Sequence, residues 1–239
     1  MSDLTIFSAG SFRHVMQELI QLFKCENSMD INAVLAPAGL LRQRIEQGEH
    51  CDIFISANLQ NIIQLSASQY IYNQQILAFN RLILTTRDEP QHKDRETLDI
   101  LLDPNLRLAT STPIADLGGD YTWQLFDLVE KKYPQQGERL KRCALQLVGG
   151  ENSVVPKGEI AAEYILKHGY ADMMVGYGNY QAYLQDCGLC CHFFPSEFNI
   201  KATYSAVQLN DNTTTRLFSR FLTSDRAKRI MCQHGFWEE

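Results

Sequence analysis

Ile6-Phe7-Ser8-Ala9-Gly10-Ser11-Phe12 decides the fold, because an apolar strand ends there in small residues and a helix begins at once. Small side chains leave backbone N–H groups open, Ser11 adds a hydroxyl, and a helix N-terminus favours negative charge. The helix is read from Phe12, Val15, Met16, Leu19, Ile20 and Phe23, which recur at three- and four-residue spacing and stop near Asn27. A single turn of this kind fits plain capping by Ser11 equally well. Repetition gives it weight. Ile31 to Leu35 reads as a second strand, Pro37-Ala38-Gly39 as a small-residue turn, and Leu40, Leu41 and Ile45 as a helix closing at Gly48. Asp52 to Ser56 is short and nearly all apolar, as suits the inside of a parallel sheet, with a helix from Asn58 to about Ser66. The order βαβαβα predicts an α/β protein.

The run Ile76 to Thr86 is longer than a usual strand and reads as one that leaves a first domain for a second. A helix near Thr97 to Leu102 and a strand Arg107 to Thr110 follow. The loop Asp116-Leu117-Gly118-Gly119-Asp120 then delivers a long helix from Tyr121, with Trp123, Leu125, Phe126 and Val129 on its apolar face. Ala144 to Val148 gives a strand, a Gly-rich stretch leads to a helix Glu159 to His168, and Ala171 to Gly176 ends at Tyr177-Gly178-Asn179. A helix from about Tyr180 to Asp186 and a strand near His192 to Phe194 come next. Lys201 to Leu209 alternates like the run at 76–86 and carries the chain back, before two final helices from Thr213 and Asp225.

With 239 residues and 45% apolar content the chain can bury a large core. Its net charge of −6 includes no run of Lys or Arg, which argues against a nucleic-acid partner. No apolar stretch is long enough to span a bilayer, so membrane insertion is not expected. A strand begins almost at Met1 and seven Cys are scattered through the sequence, so the expectation is a reduced, cytoplasmic protein without a signal peptide. An upstream signal removed from the sequence would make it periplasmic. Gly-x-Ser-x-Gly, Walker and Gly-x-Gly-x-x-Gly patterns are missing, so the sequence does not read as an enzyme.

The segments Ile6 to Ser11, Leu41-Arg42-Gln43-Arg44-Ile45-Glu46-Gln47-Gly48, Asp52-Ile53-Phe54-Ile55-Ser56-Ala57 and His234-Gly235-Phe236 resemble the molybdate-binding proteins of ABC importers, type II periplasmic binding folds. That resemblance implies two α/β lobes joined by two hinge strands, here 1–80 plus 206–239 and 81–205. It also implies a monomer, a tetrahedral oxyanion held in the cleft between the lobes with molybdate or tungstate as ligand, no further cofactor, and an ABC permease as partner if the protein is exported. By position it assigns the serine ligand to Ser11 beside Gly10, and the tyrosine ligand to Tyr177. Backbone donors fall at Ala38 and Gly39, at Gly118 and Gly119, and at the turn Lys157 to Glu159. The sequence departs from the pattern at Ala38, where the family usually has a second serine, and in the longer loop 112–121 with Asp116 and Asp120. Archaeal molybdate/tungstate binders resemble it in having a carboxylate in that loop, but Gly176 stands where their second one would be.

Each site residue also has an ordinary structural reading. Asp116 and Asp120 suit helix capping, Tyr177 suits a core aromatic, and the glycines suit turn geometry. Arg42 and Arg44 lie two residues apart and read as solvated helix charges. Two further functions compete: a cytosolic sensor or store for another small ligand, and a metal or redox protein using Cys187, Cys190, Cys191 and His192. No second ligand pair at zinc spacing accompanies that cluster.

Overall fold

The computed structural model describes residues 4–237 except 93 and 157, and leaves the side chain of Gln91 undescribed. In chain order, β1 (Leu4–Ala9) passes through a 3-10 turn (Gly10–Phe12) into α1 (Arg13–Glu26), β2 (Ile31–Ala36) into α2 (Ala38–Glu46), and β3 (Ile53–Ser56) into α3 (Leu59–Ser66), followed by β4 (Asn73–Asn80). Next come β5 (Leu82–Arg87), α4 (Thr97–Leu101), β6 (Leu108–Ser111), α5 (Leu117–Lys132), α6 (Gln136–Cys143) and β7 (Leu145–Val148). They are followed by α7 (Ala161–Lys167), β8 (Met173–Tyr177), α8 (Gln181–Asp186) and β9 (Leu189–Phe193). The chain ends in β10 (Ala202–Gln208), α9 (Thr213–Leu222) and α10 (Asp225–Gln233).

Two compact units result, 1–80 with 202–239 and 81–201. The first holds the sheet β2-β1-β3-β10-β4, in which β1 runs parallel to β2 and β3 while β10 is antiparallel to β3 and β4. The second repeats the plan as β7-β6-β8-β5-β9, with β6 parallel to β7 and β8 and β5 antiparallel to β8 and β9. In each unit the parallel strands send their C-terminal ends into helices, so strand-end turns and helix N-termini share one edge of the sheet.

Apolar periodicity drives both cores. In the first unit α1 buries Val15, Met16, Leu19 and Phe23, and Phe23 meets Phe218 of α9 edge-on at 4.9 Å. Burying each such side chain stabilises by about 1.5–3 kcal/mol. In the second, Ile165 and Leu166 of α7 and Leu184 of α8 pack on Ile83, Met174 and Leu189 from the sheet.

The structure corrects several expectations. The run 76–86 is two strands, broken at Arg81, whose carbonyl accepts the Gly178 N–H at 2.8 Å and whose guanidinium lies 4.4 Å over the Phe193 ring. The return to the first unit falls at Ala202 rather than 206, because β10 pairs with β4 from Ala202 onward. Helix α5 starts at Leu117, four residues before Tyr121, because Asp116 caps it. Helix α6 went unread: Pro134 ends α5, and the Glu130 carboxylate then accepts the N–H groups of Gln135 and Glu138 at 2.7 and 3.1 Å, restarting the helix on charge-assisted caps. The last strand of the second unit starts at Leu189, which puts Cys190, Cys191 and His192 inside it.

Candidate functional site

Strands β1 and β2 are parallel neighbours paired out to Ala9 and Ala36, so the turns that follow them lie side by side. A Cβ placed on Gly10 would meet nothing closer than the Ala36 backbone at 3.9 Å, and one on Gly39 only Asn61 Oδ1 at 3.9 Å. Neither glycine has a left-handed φ. Packing and turn geometry therefore demand glycine at neither position, and the missing side chain leaves the backbone open to close approach. Both turns feed helix ends without a side-chain cap, the preceding residues being Ala9, Phe12 and Pro37. The first-turn N–H groups have no acceptor within an α-helix, and the dipole adds positive potential there. Ala38, where a serine was expected, is buried as the first residue of α2 and brings only a methyl group.

Beside this pair of helix ends, Ser11 Oγ lies 2.6 Å from the hydroxyl of Tyr204 on β10. Tyr204 is fully buried, stacked on Phe12 at 5.2 Å and met edge-on by Phe236 at 5.0 Å. Ser8, three residues before Ser11, is also fully buried, and its Oγ has no hydrogen-bond partner. Arg42 and Arg44 answer Glu46 and Glu49 at 2.5 Å each, and Arg44 covers the Phe7 ring at 4.9 Å, as helix-surface charges do.

The turn after β6 has the same place in the second sheet and a different chemistry. Asp116 accepts the Gly118 N–H through Oδ1 at 2.8 Å, its carbonyl accepts the Gly119 N–H at 2.9 Å, and Asp120 Oδ1 accepts the Ile114 N–H at 2.8 Å. The Gly118 and Gly119 donors assigned to a ligand are thus already used within the chain, and Asp116 serves as the helix cap. Burial pushes the Asp116 carboxyl up, against the opposing hydrogen bonds from the Gly118 N–H and the Ser111 hydroxyl. Here Gly119 is sterically required, since a Cβ on it would sit 2.5 Å from Pro113 N, while one on Gly118 would displace the Asp116 side chain, whose Oδ1 lies 2.9 Å away. The turn after β7 packs close by, since a Cβ on Gly150 would come 2.6 Å from Thr112 Oγ1, a buried atom without a hydrogen-bond partner. Tyr177 ends β8 half-buried, with its ring edge-on to Tyr121 at 6.4 Å. Of the turn assigned at 157–159, Lys157 lies outside the described residues.

The structure therefore brings Gly10, Ser11, Ala38 and Gly39 together in one unit. In the other it holds Asp116, Gly118 and Gly119 as a self-capped helix end. Ser8, Thr112 and Tyr204 were missed by sequence reasoning. Tyr204 gave no signal, because it lies 193 residues from Ser11 in an alternating strand. The cysteine cluster does not converge. Cys190 and Cys191 are consecutive strand residues on opposite faces of β9, with sulfurs at 3.5 Å from Asp88 Oδ1 and 3.9 Å from the Gln181 carbonyl. His192 pairs with the Thr86 hydroxyl at 3.0 Å, the Cys187 backbone N–H donates to the Tyr183 carbonyl at 3.0 Å, and burial pushes the Cys191 thiol up to about 11. Among the described residues no group of three or more His, Cys, Asp or Glu is placed to hold a metal ion, and no helix is long and apolar enough to cross a membrane.

The family described as bacterial extracellular solute-binding protein matches residues 4–237, and the chain belongs to it. It is 40% identical over 210 residues to the uncharacterized protein PM1146 of Pasteurella multocida (strain Pm70), covering 84% of this chain and 85% of that one. It is also similar to the molybdate-binding protein ModA of Escherichia coli (strain K12), at 23% identity over 246 residues, covering 98% and 88% of the two chains. The solved sulfate-binding protein SubI from Mycobacterium tuberculosis H37Rv superposes with a TM-score of 0.79 at 13% identity, over 99% of this chain and 86% of that one. The fold is that of the periplasmic binding proteins.

Proposed function

We propose that this solute-binding protein takes a small tetrahedral oxyanion without covalent chemistry, with molybdate and tungstate as first candidates and an ABC permease as its delivery partner. One observation carries the reading: two adjacent helix N-termini, at Gly10–Ser11 and Ala38–Gly39, lack side-chain caps and flank the Ser11 hydroxyl. An anion there is met by N–H dipoles, so a chain of net charge −6 can hold it without a basic patch. The family resemblance names Tyr177, at the end of β8, as a further hydroxyl ligand. The similarity to a molybdate-binding protein puts molybdate first. Ala38 argues for a changed affinity or anion preference, because a donor lost to a charged ligand costs about 1.5–3 kcal/mol.

Calorimetry and melting shifts against molybdate, tungstate, sulfate and phosphate test the reading. At one hundred times its Kd a ligand adds about 2.7 kcal/mol to the unfolding free energy. The reading expects a clear upward shift with at least one of the four. A flat response to all of them at millimolar concentration would contradict it.

A further inference from the structure

We infer that Tyr204 is a positioning residue for the anion, acting through Ser11; the inference rests on the oxyanion reading above. The two hydroxyl oxygens are 2.6 Å apart, at the short end for an O–H···O bond. Such a bond can run either way, and its surroundings decide which way serves a ligand. Ser11 sits in a 3-10 turn that leads directly into α1, among backbone groups that present hydrogens. A Ser11 hydrogen directed at those groups finds no acceptor. When an anion supplies the acceptor, Ser11 donates to it, and Tyr204 donates into the lone pair of Ser11 Oγ. A phenol is the more acidic of the two hydroxyls and therefore the better donor in that chain. Polarising Ser11 in this way strengthens its bond to the anion, as consecutive hydrogen bonds do in a site of low dielectric.

The fold holds Tyr204 for this role. Its ring is fully buried, clamped by Phe12 at 5.2 Å and Phe236 at 5.0 Å, so the phenolic oxygen is fixed behind Ser11 at little cost in side-chain freedom. Strand β10 is also antiparallel to β3 and β4, which carries Tyr204 to the same end of the sheet as the C-termini of the parallel strands. Phe12, the residue after Ser11, is one jaw of the clamp. Serine position and tyrosine position are thereby locked together through a single ring stack.

The test is a double-mutant cycle read by calorimetry, with sodium molybdate as titrant and sulfate and phosphate run in parallel. Tyr204→Phe keeps the stack and removes only the hydroxyl. It should weaken binding about tenfold in the wild-type background and less than twofold in the Ser11→Ala background, because the phenol then has no serine to orient. Equal losses in both backgrounds would show a merely structural role, and an undiminished affinity of Tyr204→Phe would overturn the inference outright. If Tyr204→Phe proves too unstable to titrate, the molybdate-induced rise in its melting temperature over its own ligand-free value is compared with that of Ser11→Ala. Similarly reduced rises support the inference, and a full rise in Tyr204→Phe overturns it. Loss of binding in Ser11→Ala alone defeats this inference and spares the oxyanion reading. No binding of molybdate, tungstate, sulfate or phosphate to the wild type defeats both.

Discussion

The turn after β1 and the turn after β6 stand at the same place in two five-stranded sheets of like plan, each with its antiparallel strand fourth, and both join a strand to a helix through small residues. One ends in a helix without a cap beside a serine hydroxyl, and the other ends in a helix whose first donors are held by its own Asp116. The strand, glycine and helix pattern therefore does not by itself make an anion site. What stands at the N-cap decides. The glycines repeat the lesson, because a Cβ on Gly10 or Gly39 would make only ordinary van der Waals contacts while Gly118 and Gly119 are wedged against Asp116, Thr112 and Pro113.

The largest expected effect tests that difference directly. Gly119→Ala should destabilise the fold by about 2–3 kcal/mol, as overpacking against backbone does, whereas Gly39→Ala should change stability by less than about 0.5 kcal/mol. Denaturant unfolding of both variants checks the contrast, and equal losses would show that the two turns are built alike. Gly39→Ala should instead weaken oxyanion binding about tenfold, or ~1.4 kcal/mol, by crowding the approach to the α2 N-terminus. Calorimetry that finds full affinity in this variant would move the ligand away from Gly39.

Next in size is the cap itself. Asp116→Ala should cost about 1 kcal/mol by leaving the Gly118 N–H without its acceptor. Asp116→Asn keeps an acceptor oxygen and removes the buried charge. Burial raises the Asp116 pKa, so the stabilising contribution of the carboxyl is fully present below its unfolded pKa and is lost as the pH rises through the folded one. Relative to wild type, Asp116→Asn should therefore gain stability between pH 4 and pH 7. Urea unfolding at both values checks this, and a difference that does not vary with pH would mean the carboxylate is well solvated. The smallest effect belongs to the cysteines: Cys187→Ser with Cys190→Ser should leave anion affinity within about threefold, below ~0.7 kcal/mol. Stoichiometric zinc in the purified wild type, lost in that double variant, would promote the metal reading instead.

Much of this was legible from the chain. Apolar residues at helical spacing in α1 and the all-apolar Ile53 to Ile55 announce layers of helix on parallel sheet, because burial and periodicity are properties of neighbours in sequence. Gly10, Ser11, Ala38 and Gly39 also lie where a strand pattern stops and a helix pattern starts, so the turns that hold them were legible, while their assignment to a ligand came from the family resemblance. The rest depends on contacts the order of residues does not carry. The capping role of Asp116 was one of two readings of the same loop, and only its bond to Gly118 N–H separates them. Helix α6 hides behind Pro134 and depends on Glu130, which belongs to the preceding helix. Tyr204 looks like any apolar strand residue until β10 is laid antiparallel to β3.

The most direct measurement is a backbone amide NMR titration of the whole chain with molybdate, sulfate and phosphate. Helix ends awaiting an anion predict that saturation with the anion that binds moves the Gly10, Ser11, Phe12, Ala38, Gly39 and Leu40 amides most, while Gly118 and Gly119, already bonded to Asp116, shift little. Largest shifts at Gly118 and Gly119, with Gly10 to Phe12 and Ala38 to Leu40 unmoved, would contradict the account.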